Sequence, residues 1–171
     1  GMGLVTTGPA GMSMSATGTL LLGAGVGLVA ALVMDWPMAR QPDGFVPAYI
    51  ATAVVTRQPI DSVRLPEAMV LHHLAGVLAG LLYGLIAVGL GGLFPSLVSL
   101  DGLNIVAHLL AVGGVVGFIY SFFAHVVLPR AGGRTYEERA TAVRGQWLRS
   151  ALVFGTTLLV GVPAALTSLS L

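Results

Sequence analysis

The chain has 171 residues, of which 56% are hydrophobic and 9% are charged, and its mean hydropathy is +0.91. This composition is too apolar for a soluble domain of that length and predicts an integral membrane protein. The absence of cysteine excludes disulfides, thiolate metal sites and thiol catalysis, and the absence of lysine excludes Schiff-base chemistry.

The chain divides into an N-terminal tail and one apolar domain. Residues 1–18 are rich in Gly, Ser, Thr and Met and carry no charge, so they are predicted to form a flexible external tail. Residues 19–171 are predicted to form one transmembrane domain, because they contain apolar stretches that each reach the roughly 20 residues needed to span a bilayer. These stretches lie at 19–38, 68–94, 105–128 and 147–171.

A further apolar segment, 45–56, lies in the connection between the first two stretches. At about a dozen residues it is too short to span a membrane, so it is predicted to be an interfacial helix. The predicted fold class is therefore all-α. We expect an integral membrane protein built as an antiparallel bundle of four transmembrane helices, with one short interfacial helix between helices 1 and 2.

The arginines predict the orientation of the chain in the membrane. All of them lie in or beside the first and third connections: Arg40, Arg57, Arg64, Arg130, Arg134, Arg139, Arg144 and Arg149. Positively charged short loops stay in the cytoplasm, so both termini are predicted to lie outside, in a multi-pass protein of the cell membrane. The expected partners are the lipid bilayer and other membrane subunits or further copies of the chain, and not nucleic acid.

Small residues recur at every fourth position on the first three predicted spans, and each series ends in a polar side chain. The three stripes are Gly23, Gly27, Ala31, Asp35; His72, Gly76, Gly80, Gly84; and Gly113, Gly117, Ser121, His125. Spacing by four places each stripe on one side of its helix, and small residues let transmembrane helices approach closely. The stripes are therefore predicted to be the faces on which the first three helices pack together.

The polar ends of the stripes are predicted to meet. Asp35, His72 and His125 each lie five residues from a charged residue at the arginine-bearing end, which places each of them about 7–8 Å inside that boundary. His73 is adjacent to His72 but points about 100° away from it. We therefore expect His73 at the edge of the cluster or against another helix.

Several functions stay open for this cluster, because ionisable groups inside a membrane span usually mark a site or a pathway. The leading interpretation is a structural or partner-binding membrane subunit whose helix register the cluster fixes. The cluster could instead hold zinc or iron through Asp35, His72, His125 and, at its edge, His73. It could also relay protons in an oligomeric carrier. No catalytic residue is assigned, and the sequence does not decide whether the protein is an enzyme.

Haem is the third possible cofactor. His72 and His125, on facing helices at equal depth, resemble the axial ligands of b-type cytochromes. Close packing between glycine-rich helices leaves little width for a porphyrin. We therefore expect no haem to be bound.

Overall fold

The computed structural model describes residues 14–94 and 96–169, which are mostly helical. The helices are α1 (Ala16–Arg40), α2 (Val46–Thr56), α3 (Leu65–Leu93), α4 (Ile105–Phe122), α5 (Leu128–Ala131), α6 (Gly133–Glu137) and α7 (Ala140–Leu169). A 3-10 turn (Ile60–Ser62) precedes α3, and a π-helical turn (Phe123–Val127) continues α4 into α5. A small antiparallel hairpin of β1 (Ser99–Leu100) and β2 (Leu103–Asn104) joins α3 to α4.

The predicted all-α class is confirmed, and within the described residues four helical segments are long and apolar enough to cross a membrane. Over 18 residues their mean hydropathy is 1.8 to 2.1. They are Ala16–Arg40, Leu65–Leu93, Ile105–Ala131 and Ala140–Leu169.

Three of these helices begin earlier than the apolar stretches predicted: α1 and α3 by three residues and α7 by seven. The hydroxyl of Ser15 accepts a hydrogen bond from the backbone N–H of Gly18, which caps α1 and starts it at Ala16. The tail predicted at 1–18 is thus helical at its end, and residues 1–13 lie outside the described part of the chain. Helix α7 begins at Ala140, about two turns before the apolar stretch. Hydropathy did not include these first turns because they mix the polar Thr141, Arg144 and Gln146 with small residues.

The first two small-residue stripes pack against each other, as predicted. A Cβ built on Gly80 would collide with the carbonyl oxygen of Gly23 and would lie 2.9 Å from the Cα of Gly27. A Cβ on Gly76 would likewise collide with the side chain of Ala31. Gly80 lies against Gly23, whereas the earlier Gly76 lies against the later Ala31, so the two helices run antiparallel with their backbones in close contact.

The prediction that the third stripe packs on the other helices is wrong. Gly113, Gly117 and Ser121 are exposed, and a Cβ built on either glycine would meet no described atom within 4 Å. Helix α4 buries a different face instead: Ala107, His108, Ala111, Val112 and Val115. Because α4 is apolar on every side, small residues recur at every fourth position on more than one of its faces, and the spacing does not identify the packing face.

The four long helices contact one another in a ring, in which α1 and α4 each pack on α3 and on α7. Helix α2 confirms the short helix predicted between the first two spans. It packs on α3, on α5 and on the π-helical turn, and it buries Pro47, Ala48, Ile50 and Thr52. The membrane position of α2 stays a prediction.

Asp43 joins the two arginine-bearing connections at one end of the ring. Its backbone N–H donates to the Gln146 side chain at 2.7 Å, and its buried carboxylate accepts a hydrogen bond from Arg139. A buried carboxylate paired with a guanidinium is costly to disrupt. The connection after α1 and the start of α7 are therefore held together.

Gly80→Ala should lower the free energy of unfolding by about 1–3 kcal/mol, because its methyl group would overpack the contact with α1. Gly89 lies on the same helix and is exposed, and a Cβ there would meet no described atom within 4 Å. Gly89→Ala is the matched control and should be neutral or slightly stabilising, since alanine favours helix more than glycine does. Titration of the detergent-solubilised variants with denaturant measures both, and equal stability of the two would contradict the close approach.

Candidate functional site

Asp35, His72 and His73 form a polar cluster between α1 and α3. Nε2 of His73 donates to Oδ2 of Asp35 at 2.7 Å, and Nε2 of His72 lies 3.2 Å from Oδ1. One candidate ligand atom from each of the three side chains lies within 4.8 Å of the others. The carboxylate therefore lies between two imidazoles from the neighbouring helix.

The glycine contact between α1 and α3 positions this cluster. Asp35 lies four residues beyond Ala31, and His72 lies four residues before Gly76, so both continue the stripes by one turn. Ala31 and Gly76 are already in contact. The contact of Ala31 with Gly76, one helical turn away, therefore brings the polar side chains together.

The Nε2–H of His72 donates mainly to the backbone of α1. Nε2 lies 3.1 Å from the carbonyl oxygen of Ala31, and a carbonyl can only accept, so Nε2 must carry the hydrogen. Oδ1 of Asp35 lies 3.2 Å from the same nitrogen, which is close enough for an ion pair. Oδ1 is buried and accepts no hydrogen bond from any described residue. A buried carboxylate oxygen without a hydrogen bond is an acceptor that a cation could satisfy.

The cluster is accessible from one side. His72 is buried, with 8% of its surface exposed, whereas the side chains of Asp35 and His73 are each 26% exposed. A small ion can therefore reach the carboxylate from the side of His73.

The prediction that His125 joins the cluster is wrong. His125 lies in the π-helical turn, is exposed, and contacts the ring of Tyr120 edge-on with centroids 5.9 Å apart. Its stripe faces away from the other helices along its whole length, so its polar end does too. The axial pair of His72 and His125 that a haem would need is therefore not formed.

His73 takes the place predicted for His125. Consecutive helical side chains diverge by about 100°, which led us to expect His73 at the edge of the cluster. A side chain from a facing helix can lie between two such neighbours, and Asp35 does so. The adjacency of the two histidines was the sequence signal for this arrangement.

A second buried polar network joins α3, α4 and α7. The hydroxyl of Tyr83 donates to Nδ1 of His108 at 2.6 Å, and Nε2 of His108 donates to the carbonyl of Leu159 at 3.0 Å. That carbonyl is free because Pro163, four residues later, has no N–H to bond to it. Both ring nitrogens are satisfied, so this network has a structural role, and Pro163 was the signal that could have found it.

The chemistry available to the Asp35 cluster follows from its donor set. Two imidazoles and one carboxylate are ligands that zinc and ferrous iron accept, with coordination positions left for water or substrate. The same groups are the side chains that a proton relay would use. Both uses need the carboxylate and at least one imidazole to stay accessible, as they are here.

Comparisons with protein-family models, with curated proteins and with solved structures found no match to this chain. Its function therefore has to be inferred from its own residues.

Proposed function

We propose that the chain is an integral membrane protein that binds a divalent transition metal ion, zinc or ferrous iron, through Asp35, His72 and His73. The observation that carries this proposal is the buried Oδ1 of Asp35, which has no hydrogen-bond partner among the described residues and lies 3.2 Å from Nε2 of His72. A metal ion bound between the carboxylate and the two Nε2 atoms would satisfy that oxygen. It would replace the hydrogen on each Nε2.

Membrane insertion is supported by the four long apolar helices and by the charge distribution. We propose that both termini lie outside and that the two arginine-bearing connections are cytoplasmic, in accordance with the positive-inside rule. Those connections are joined through Asp43 and Arg139, so their charges belong to one end of the molecule. The metal site would then lie near the cytoplasmic face.

The competing proposal is a structural or partner-binding subunit in which the cluster fixes helix register. It is favoured by the contacts of His72 and His73 with α1, namely the hydrogen bonds to Ala31 and Asp35. A proton-coupled carrier, formed with other copies of the chain, remains a further hypothesis. Partner subunits likewise stay a prediction.

The purified protein should bind about one equivalent of Zn²⁺ or Co²⁺, and Asp35→Asn and His73→Ala should each weaken binding by at least about 100-fold. That is the upper end of the loss seen when a group supporting a metal ligand is removed. His125→Ala is the matched control and should bind normally, because His125 is exposed outside the cluster. Binding should also weaken as the pH falls, since protons compete with the metal for the imidazoles.

Calorimetric titration and metal analysis measure these affinities. If the wild type binds no metal while Asp35→Asn loses stability, the structural role is correct and the metal proposal is wrong. If His125→Ala weakens binding as much as His73→Ala, the ligand set is wrong.

The orientation can be tested with single cysteines, because the chain has no native cysteine to give background. A membrane-impermeant maleimide should label Ser99→Cys in intact cells and Glu138→Cys only after permeabilisation. These positions lie in the β-hairpin and after α6, at opposite ends of the helices. Labelling of Glu138→Cys in intact cells would reverse the proposed topology.

A further inference from the structure

A cavity of about 380 Å³ lies among α2, α3, α4 and α7. Its volume is within the range of small-molecule sites, about 300–1,000 Å³. The wall is almost entirely apolar, and its aromatic members are Phe118, Phe122, Phe123, Trp147 and Phe154. The indole N–H of Trp147 already donates to the carbonyl of Ile119 at 3.1 Å, so Trp147 offers a guest only an apolar face.

The cavity opens sideways between α3 and α4. Leu78, Phe118 and Phe122 line it and are also exposed on the outer surface, at 64%, 52% and 49%. Helix α3 contributes the small residues Ala75 and Ala79 to the wall, which leaves space beside the larger side chains of α4. In an inserted protein this opening would face the hydrocarbon of the bilayer, so a guest would enter from the membrane.

His72 is the one ionisable side chain among the described residues of this wall. Its Nε2–H is directed at Ala31, and its Nδ1 makes no hydrogen bond within the described part of the chain. A neutral imidazole with hydrogen on Nε2 has a lone pair on Nδ1. His72 is therefore the side chain of this wall that can offer a guest a strong hydrogen-bond acceptor.

We propose that this cavity binds a bilayer-soluble amphiphile, made of an apolar chain or ring and one hydroxyl group, whose hydroxyl donates to Nδ1 of His72. A ketone or an ether has no hydrogen to donate to that lone pair, and an alkane has no polar group. A hydroxyl can also accept, so it would still bind if a metal on Nε2 moved the ring hydrogen to Nδ1. The proposal does not depend on the metal site.

Quenching of tryptophan fluorescence by brominated probes tests this in detergent. Trp36→Phe leaves Trp147, in the cavity wall, as the one emitter, and Trp147→Phe leaves Trp36, which is 65% exposed, as a reference for non-specific partitioning. A long-chain bromoalkanol should quench Trp147 at a concentration roughly three- to tenfold lower than the bromoalkane or bromoketone of equal length, as expected for one hydrogen bond. Trp36 should show no such preference.

Matched variants distinguish binding of the probe in the cavity from binding at the protein surface. Ala79→Leu, made in the Trp36→Phe protein, should fill the cavity and abolish the bromoalkanol preference. Ala164→Leu adds the same side chain at an exposed position of α7 outside the cavity wall and should leave the preference unchanged. His72→Phe should lose the preference while the bromoalkane still quenches Trp147, which shows that the cavity remains formed.

Asp35→Asn distinguishes this proposal from the metal proposal. It should weaken metal binding by at least about 100-fold and keep the bromoalkanol preference, because His72 would still donate to Ala31. Equal quenching of Trp147 by alkanol and alkane would overturn the proposal and assign the cavity to plain hydrocarbon. Quenching of Trp147 no stronger than that of Trp36 would show that the cavity takes no guest.

Discussion

Helices α1 and α3 approach so closely that the glycines between them leave no room for a Cβ, and the rest of the structure depends on this contact. At Gly23, Gly27 and Gly80 the neighbouring atoms are backbone atoms, which cannot move aside as a flexible side chain can. In a bilayer no burial from water drives helices together, so such backbone contact is a main source of association. The same contact fixes the register that brings Asp35 between His72 and His73.

Two polar clusters buried among the described helices differ in how fully their atoms are hydrogen-bonded. In the network of Tyr83 and His108 each polar atom has a partner, including the Leu159 carbonyl that Pro163 leaves free. In the Asp35 cluster a buried carboxylate oxygen accepts no hydrogen bond from the described residues. Since a buried polar atom without a hydrogen bond is costly in an apolar surrounding, stability alone explains the first cluster, and the open acceptor of the second supports the proposed metal site.

Much of the fold could be predicted from the sequence because length and hydropathy decide which segments can span a bilayer. The four long apolar helices and the short helix after α1 were found in this way, although hydropathy missed the first two turns of α7. Glycine spacing identified the contact of α1 with α3, because each of those helices carries one dominant run of small residues. It failed for α4, where Gly113 and Gly117 compete with Ala107 and Ala111 for the packing face.

The candidate site was predicted only in part, because small-residue spacing identified the packing faces of α1 and α3 but not that of α4. Asp35 and His72 extend the correct stripes and were expected to meet, whereas His125 extends the stripe that faces outward. The place of His73 depends on where the Asp35 carboxylate lies between two diverging side chains, which helix periodicity does not determine. Sequence alone does not show that Oδ1 of Asp35 and Nδ1 of His72 lack hydrogen bonds to the described residues. Their partners can be identified only from the three-dimensional structure.

His72 belongs both to the polar cluster and to the wall of the apolar cavity. We assign one of its ring nitrogens to each of these environments. Nε2 faces α1 and the carboxylate, while in the proposed amphiphile site Nδ1 would accept from the guest. The nitrogens of a neutral imidazole share one hydrogen, so loss of the hydrogen from Nε2 to a metal would place it on Nδ1. A metal ion and an amphiphile could then bind at once only if the guest's polar group can both donate and accept, and a hydroxyl group meets that condition.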